Sequence, residues 1–235
     1  MADEEFQRAR RPEQKEERRA LLLDAARGLL LEHPSTQLEF SLNELSVRAG
    51  MAKSNVYRYF ESREAILIEL LRQEWLSWFA QLSSDLAGDS EPCSHRVHRP
   101  GLAALDDLVL RLSQSFAHRP LLGQLCSILS TVLEHNVEPK TISTFKLESL
   151  HFVRMLAQFL HQKCSFLSPV QYEELFHTGF AALVGLWSFS HPSPAVQEAL
   201  AAPELAPFRH DFARDFARHL SLLARGLVAL EKHDK

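Results

Sequence analysis

The chain has 235 residues, of which 46% are hydrophobic, and its formal net charge at pH 7 is −4. This length allows a sizeable core, and we expect a small domain attached to a larger one. No apolar run approaches the roughly 18 uncharged residues of a membrane span, and the N-terminus lacks the apolar stretch of a secretory signal. We therefore expect a cytoplasmic protein that does not contact membranes.

The charge is distributed unevenly along the chain. Residues 1–63 contain 11 basic and 11 acidic side chains, whereas residues 64–235 contain 15 and 19. Residues 45–60 carry three basic side chains and no acidic one. The acidic total excludes a protein that coats nucleic acid with its whole surface, but it allows a local DNA-contacting surface near the N-terminus. Three arginines at residues 8–11 fit either a flexible arm on DNA or a solvated tail.

The first two helices are predicted from apolar spacing and capping residues. Leucine and alanine recur at helical spacing within residues 13–33, and Pro34 ends this helix. Ser41, with Glu44 three residues later, forms a capping box for a second helix of two turns. Gly50 follows it and can adopt the positive φ that a tight turn requires.

Helical patterns continue through the rest of the chain. A third short helix is predicted over residues 52–60, with Val56 and Phe60 facing inward, and Ser62 caps a fourth helix of more than twenty residues. The polar stretch 88–100 predicts a loop. No useful strand-like alternation and no repeat is found, so the predicted fold class is all-α. Further helices are predicted over residues 101–118, 120–136, 139–164, 169–190 and 208–230.

Residues 41–60 meet the requirements of a helix-turn-helix. The motif needs a short positioning helix, a tight turn and a recognition helix with an apolar inner face and a polar outer face. An outward lysine can donate to guanine acceptors in the major groove, and a tyrosine can touch a thymine methyl group. A solvated helical hairpin fits the same pattern, because polar outer faces are usual on surface helices.

The order of residues resolves this ambiguity. Residues 41–67 read S-L-x-E-L-x-x-x-A-G-M-x-K-x-x-V-Y-R-Y-F-x-S-R-E-A-I-L, which resembles the N-terminal domain of the TetR (tetracycline-repressor-like) family of bacterial transcriptional regulators. The resemblance implies a basic N-terminal tail (1–12), a helix-turn-helix DNA-binding domain (13–62) and a ligand-binding and dimerisation domain (63–235). It implies a regulator that binds a double-stranded DNA operator, without enzymatic activity or a cofactor.

The resemblance also assigns roles to individual residues of the motif. Ala52 departs from the family pattern, since many members have serine or threonine there as N-cap, and its absence costs about 1 kcal/mol. The positions that meet base edges in the family are Asn43, Lys53, Ser54 and Tyr57. The positions that meet phosphates are Ser41, Asn55, Tyr59 and Arg63.

Dimerisation and effector binding are assigned to the larger domain. Helix-turn-helix proteins commonly dimerise to place two recognition helices about 34 Å apart, and the family implies a homodimer through the last two long helices and a ligand pocket among the middle helices. The core of a single chain would give the same apolar pattern. The predicted dimer residues are Phe176, Phe180, Leu183, Trp187, Phe212, Phe216, Leu220 and Leu223. The predicted residues for a small apolar effector are Leu105, Phe116, Leu125, Leu129, Phe145, Phe152, Met155 and Phe159.

No other chemistry is predicted. The three cysteines form no C-x-x-C pair, and His95 and His98 have only Cys93 nearby, so no metal site is expected. No nucleophile elbow or glycine-rich phosphate loop is present, so no catalytic residue is assigned. We predict a repressor that a ligand releases from a pseudo-palindromic operator. The alternatives are a ligand-sensing helical protein, or a helical enzyme, whose N-terminal hairpin does not bind DNA.

Overall fold

The computed structural model describes residues 2–32, 40–87 and 101–233, with side chains described for 13–32, 40–87 and 101–230. Every regular element in these ranges is helical, which confirms the predicted all-α fold. The α-helices are α1 (Ala2–Glu32), α2 (Leu42–Arg48), α3 (Lys53–Val56), α4 (Arg63–Ala87), α5 (Gly101–Ala117), α6 (Pro120–Ser127), α7 (Pro139–Lys163), α8 (Pro169–Ser190), α9 (Pro194–Ala199) and α10 (Phe212–His233). A π-helix (Leu129–Leu133) follows α6, and a 3-10 helix (Pro203–Phe208) lies between α9 and α10.

Two helices near the N-terminus differ from their predicted bounds. α1 begins at Ala2, eleven residues before the predicted start at Glu13, so residues 2–12 continue the first helix. α3 has only four residues, and the chain continues from Val56 to Phe60 through turns. A helix this short is not stable alone. Its position therefore depends on how its apolar side chains pack.

The N-terminal unit, α1 to α3, has a small apolar core. Leu22 and Ala26 of α1, Leu45 of α2 and Val56 of α3 are completely buried, and Phe60 is nearly so. Burial of each of the larger side chains contributes about 1.5–3 kcal/mol relative to leaving it exposed. This packing fixes α3 against α1 and α2 despite its length.

The C-terminal unit, α5 to α10, is centred on an aromatic cluster. Phe116 of α5 lies 6.0 Å from Trp75 of α4 and 6.1 Å from Trp187 of α8, measured between ring centroids. Phe212 of α10 lies 4.9 Å from Trp187. Tilted and edge-on ring pairs add about 0.5–1.5 kcal/mol each beyond area burial. The cluster therefore joins α4, α5, α8 and α10 in one core.

Helix α6 packs against this core at Gly123. A Cβ atom at Gly123 would lie 2.3 Å from atoms of the Trp187 indole, so no larger residue fits without displacing the ring. Cys126, almost one turn later, is buried, and burial raises the pKa of its thiol well above the ordinary value. Cys164 is also buried with a free thiol, and Cys93 lies outside the described residues. Cys126 is therefore a core thiol that stays protonated.

Helix α4 belongs to both units. It packs against α1 on one side and against α5, α6 and α7 on the other. Glu61, just before α4, accepts a hydrogen bond from the backbone N–H of Glu138 at 2.8 Å, at the start of α7. None of the helices in the described ranges is both long enough and apolar enough to cross a membrane.

Candidate DNA interface

The start of α2 is fixed by the predicted capping box. The Ser41 hydroxyl accepts a hydrogen bond from the Glu44 N–H at 3.1 Å, and the Glu44 carboxylate accepts one from the Ser41 N–H at 2.7 Å. Both groups are exposed. Because the Ser41 oxygen acts as acceptor in the cap, its O–H remains able to donate to a phosphate.

The turn between α2 and α3 depends on Gly50. Its φ is +62°, which confirms the positive φ predicted for this position. The Met51 N–H then donates to the Ser46 carbonyl at 2.9 Å and closes the turn. Such a φ costs residues with a Cβ atom about 1–2 kcal/mol. The glycine thus sets the angle at which α3 leaves α2.

The outer face of α3 presents polar side chains to solvent. Val56 is completely buried beneath it, while Lys53, Ser54 and Tyr57 are exposed, Tyr57 to 52%. Asn43 is exposed on α2. The four residues assigned to base edges thus all lie at the surface. Of the four assigned to phosphates, Ser41 is exposed, whereas Asn55, Tyr59 and Arg63 are half-buried.

Arg63 forms an ion pair with the residue that follows it. Its Nε and Nη2 atoms donate to Oε1 of the adjacent Glu64, at 3.2 and 3.0 Å, and Glu64 is buried. Ser62 caps α4 as predicted, since its hydroxyl accepts from the Ala65 N–H at 3.1 Å. A phosphate would therefore have to share Arg63 with a neighbouring carboxylate.

A bidentate ion pair clamps α2 to α1. Arg48 donates through Nη1 and Nη2 to the two carboxylate oxygens of Glu32, at 2.6 and 2.5 Å. The hydrogen bonds that Arg48 donates to Glu32, and then the negative charge of that carboxylate, raise the pKa of Arg48 above the ordinary value. Gly28 leaves room for this guanidinium, because a Cβ there would lie 3.2 Å from Nη2. Arg48 is thus a structural cation of the motif.

Arg58 is a surface cation to which sequence reasoning gave no role. It is exposed in the turn after α3 and has no ion-pair partner among the described residues, as is also true of Lys53. Because Arg48 pairs with Glu32, Lys53 and Arg58 are the cations of residues 45–60 that could contact DNA. The sequence does indicate that Arg58 points outward, since it lies two residues from each of the inward-facing Val56 and Phe60.

The residues predicted to bind an effector are mostly packed together. The structure places all but two of them in the buried core; the buried ones are Leu105, Phe116, Leu125, Leu129, Phe145 and Phe152. Met155 and Phe159 are half-buried. Phe152 lies 5.3 Å from Trp75, between ring centroids. In the described conformation these side chains belong to the core or pack against it.

A cleft of about 520 Å³ lies elsewhere, between α4 and α7 beside α1. Among the predicted effector residues, Phe145 is the one that lines it. Its walls carry both signs of charge, so it differs in character from the apolar pocket predicted from the sequence. The lining residues are Arg19, Tyr59, Phe60, Glu61, Ala65, Ile68, Glu69, Arg72, Lys140, Thr141, Thr144, Phe145 and Glu148.

The residues predicted to form the dimer interface mostly face inward within one chain. A Cβ at Gly179 of α8 would lie 2.8 Å from Leu220 of α10, which shows how closely these helices approach each other. The buried members of the predicted set are Leu183, Trp187, Phe212, Phe216 and Leu220, and the half-buried members are Phe176, Phe180 and Leu223. The five buried side chains are therefore core residues here, and a partner would meet other residues of α8 and α10.

Two family models together match nearly the whole chain. Residues 22–70 match the family described as bacterial regulatory proteins, tetR family, and residues 72–230 match the tetracyclin repressor-like C-terminal domain. No curated protein matches the sequence.

Two solved structures share the fold. A TetR transcriptional regulator from Rhodococcus sp. RHA1 has 16% identity and a TM-score of 0.50, over 88% of this chain and 94% of its own. A protein assigned to the TetR family of transcriptional regulators, from Mesorhizobium loti MAFF303099, has 15% identity and a TM-score of 0.52, over 92% and 97%. Because family models match both its N-terminal and its C-terminal part, the chain belongs to the TetR family of DNA-binding transcriptional regulators.

Proposed function

We propose that the chain is a dimeric repressor that binds a pseudo-palindromic operator in the cytoplasm and is released by a small, largely apolar molecule. The observation that carries this proposal is the outer face of the recognition helix. Lys53, Ser54 and Tyr57 are exposed there, over a buried Val56, and Asn43 is exposed on the neighbouring helix. Side chains of these types read base edges in the major groove.

The proposed phosphate contacts surround this surface. Ser41 retains a donor O–H beside its cap, and Arg58 is an exposed cation without an acidic partner among the described residues. We assign Arg58 to the phosphate contacts, together with Ser41, Asn55 and Tyr59. Arg63 joins them only if it divides its donors between DNA and Glu64.

The proposed dimer interface uses the outward faces of α8 and α10. Those faces carry the small residue Ala181 and the apolar Leu222, and Leu222 is 59% exposed. Small side chains allow two helices to approach closely, and exposed leucines gain free energy when a second copy covers them. A symmetric pairing of this kind would hold two recognition helices about 34 Å apart, as successive turns of DNA require.

The proposed effector acts on the aromatic core. Because Phe116 and Phe152 both contact Trp75 of α4, a molecule that displaces either ring changes the packing of the helix that joins the two units. Such a ligand must itself be largely apolar to replace the contacts it breaks. By linkage, the factor by which the effector weakens operator binding is also the factor by which operator weakens effector binding.

The test uses an operator selected by the full-length protein. Replacing Lys53 with alanine should weaken binding to this DNA and change the preferred base at the contacted position, at a cost of about 1–3 kcal/mol per base contact. Lys146→Ala is the matched control, since Lys146 is an exposed lysine of α7 paired with Glu134. Equal affinities for wild type, K53A and K146A would contradict the proposal.

The separate roles of base and phosphate contacts are tested by salt dependence. Loss of a phosphate contact at Arg58 should weaken all DNA sequences alike and reduce the slope of log affinity against log salt by about 1. Lys53→Ala should in addition alter sequence preference. R63A should have a smaller effect on the slope than R58A, because Arg63 already pairs with Glu64. Identical effects of K53A and R58A would refute the assigned roles.

A further inference from the structure

A buried carboxylate on α4 lies between two arginines from different parts of the chain. The Glu74 side chain is 9% exposed. Arg27 of α1 donates through Nη1 to Oε1 of Glu74, and through Nη2 to the Gln73 side chain at 3.1 Å. Arg119, in the connection between α5 and α6, places its Nη1 atom 4.0 Å from Oε2 of Glu74. One carboxylate therefore serves a cation of the N-terminal unit and a cation of the C-terminal unit.

Arg119 lies close in sequence to residues of the aromatic core. It is the residue before α6, and it follows Phe116, in the last turn of α5, by three residues. Four residues after it, Gly123 lies against the indole of Trp187. Arg119 is also tied to α4 through a hydrogen bond to the Ser77 hydroxyl at 3.0 Å. A shift of α6 relative to α4 must therefore change the distance from Arg119 to Glu74.

A second ionic chain joins the same units but is more exposed. Arg19 of α1 lies 3.0 Å from Glu69 of α4, and Arg72 also binds Glu69. Arg72 then reaches Glu148 of α7 at 4.0 Å, but the Glu148 side chain is 50% exposed. Exposed pairs contribute little because water screens them. The outer link of this second chain, from Arg72 to Glu148, is therefore weak, whereas both arginines of the first chain lie at one buried carboxylate, which cannot lose its cations without a large penalty.

We propose that Glu74 and Arg119 are positioning residues that couple the packing of the aromatic core to the orientation of α1, and thereby of α2 and α3. Arg27 and Arg119 share one buried negative charge, so withdrawal of Arg119 alters the field that orients Arg27. α1 transmits the change through Glu32, which holds Arg48 of α2. The inference rests on the proposed regulatory function, and it specifies the residues through which an effector would act.

The decisive experiment is a double-mutant cycle between Arg27 and Arg119 in the full-length protein, measured by denaturant unfolding at fixed protein concentration. Each single alanine variant leaves Glu74 one cation, whereas the double variant leaves a buried carboxylate with none. The double variant should therefore lose at least about threefold more in the unfolding equilibrium constant than the product of the single effects, as residues of one network do. This excess should vanish when Glu74→Gln is present. Simple multiplication of the single effects, or an excess that persists with E74Q, would overturn the proposal.

Hydrogen exchange gives an independent test if the double variant does not fold. Arg119→Ala should speed exchange of α1 amides near Arg27, although no contact joins the two residues in the described structure. Arg154→Ala is the matched control, because Arg154 is an exposed arginine of α7 that pairs with Glu173 of α8. Unchanged α1 exchange in R119A, or an equal change in R154A, would contradict the coupling.

Operator binding separates positioning from simple loss of stability. At a temperature where the variant is folded, R119A should bind the selected operator about fivefold or more weakly, the lower end of usual couplings between sites. Its salt slope should match that of wild type, because no phosphate contact is lost. Unaltered operator affinity would contradict the positioning role. If wild type itself bound no operator, the regulatory proposal would fail, while the mutant cycle would still decide the inference.

Discussion

The N-terminus of α3 has no side chain that caps it, and restoring a cap should stabilise this helix. Ala52 has φ −69° and ψ 143°, the extended conformation of an N-cap residue, and no side chain caps the helix. Threonine at this position would place Oγ1 where it can accept a hydrogen bond from the Ser54 N–H without changing the backbone, since the Asn55 N–H already donates to the Ala52 carbonyl at 2.8 Å. A cap of this type contributes about 1 kcal/mol. We therefore expect Ala52→Thr to stabilise the helix-turn-helix.

The expected size of the effect can be measured in two ways. For a chain of this length, about 1 kcal/mol raises the melting temperature by roughly 2–4 °C. The same free energy should slow amide exchange in α3 by about fivefold wherever exchange follows opening of this helix. Ala52→Val is the control, because valine has the shape of threonine but no acceptor. Equal melting temperatures and exchange rates for A52T and A52V would refute the capping argument.

Other predictions concern the core and the interface. Gly123→Ala should destabilise the chain by about 1–3 kcal/mol in denaturant unfolding, since the new methyl group meets the Trp187 indole, and Trp187→Phe in the same chain should recover part of the loss. Stability that is unchanged in G123A would contradict the close packing. Leu222→Glu should convert the proposed dimer to a monomer in sedimentation experiments, whereas Leu147→Glu, at a leucine of α7 that is also exposed, should not. Dimers that survive L222E would exclude the proposed interface.

Local features of the N-terminal unit could be predicted from the sequence because their causes lie within a few residues. The Ser41 capping box, the positive φ of Gly50 and the Ser62 cap each depend on neighbours at most three or four positions away, and all three are confirmed. The inward positions of Val56 and Phe60 followed from helical spacing. The family resemblance then assigned exposed residues to a DNA surface, and this assignment stays a prediction.

Features that depend on distant partners could not be predicted. Arg27 and Glu74 are 47 positions apart, and nothing in the local pattern of either residue indicates the pairing. The sequence does not distinguish Arg48 from the other cations of the motif, but in the structure it forms an ion pair with Glu32. Sequence spacing identified Trp187 as apolar, yet only packing shows that it faces Gly123 within its own chain.

The residues of a pocket or a dimer interface could not be predicted for the same reason. A leucine that lines a pocket, fills a core or meets a second copy has the same helical spacing in each case. Leu183 and Leu220 therefore suited an interface, although the structure buries both in one chain. Leu222, two positions from Leu220, points outward and was not predicted.

Selection of DNA from a random pool by the full-length protein tests most directly whether the chain binds a specific DNA sequence as a dimer. We expect enrichment of two inverted half-sites whose centres lie one helical turn apart, about 10 base pairs, or a multiple of it. The enriched sequence should lose its preference at one position of each half-site when Lys53 is replaced by alanine. A pool without enrichment would contradict sequence-specific binding, and a single half-site without an inverted repeat would contradict binding as a dimer.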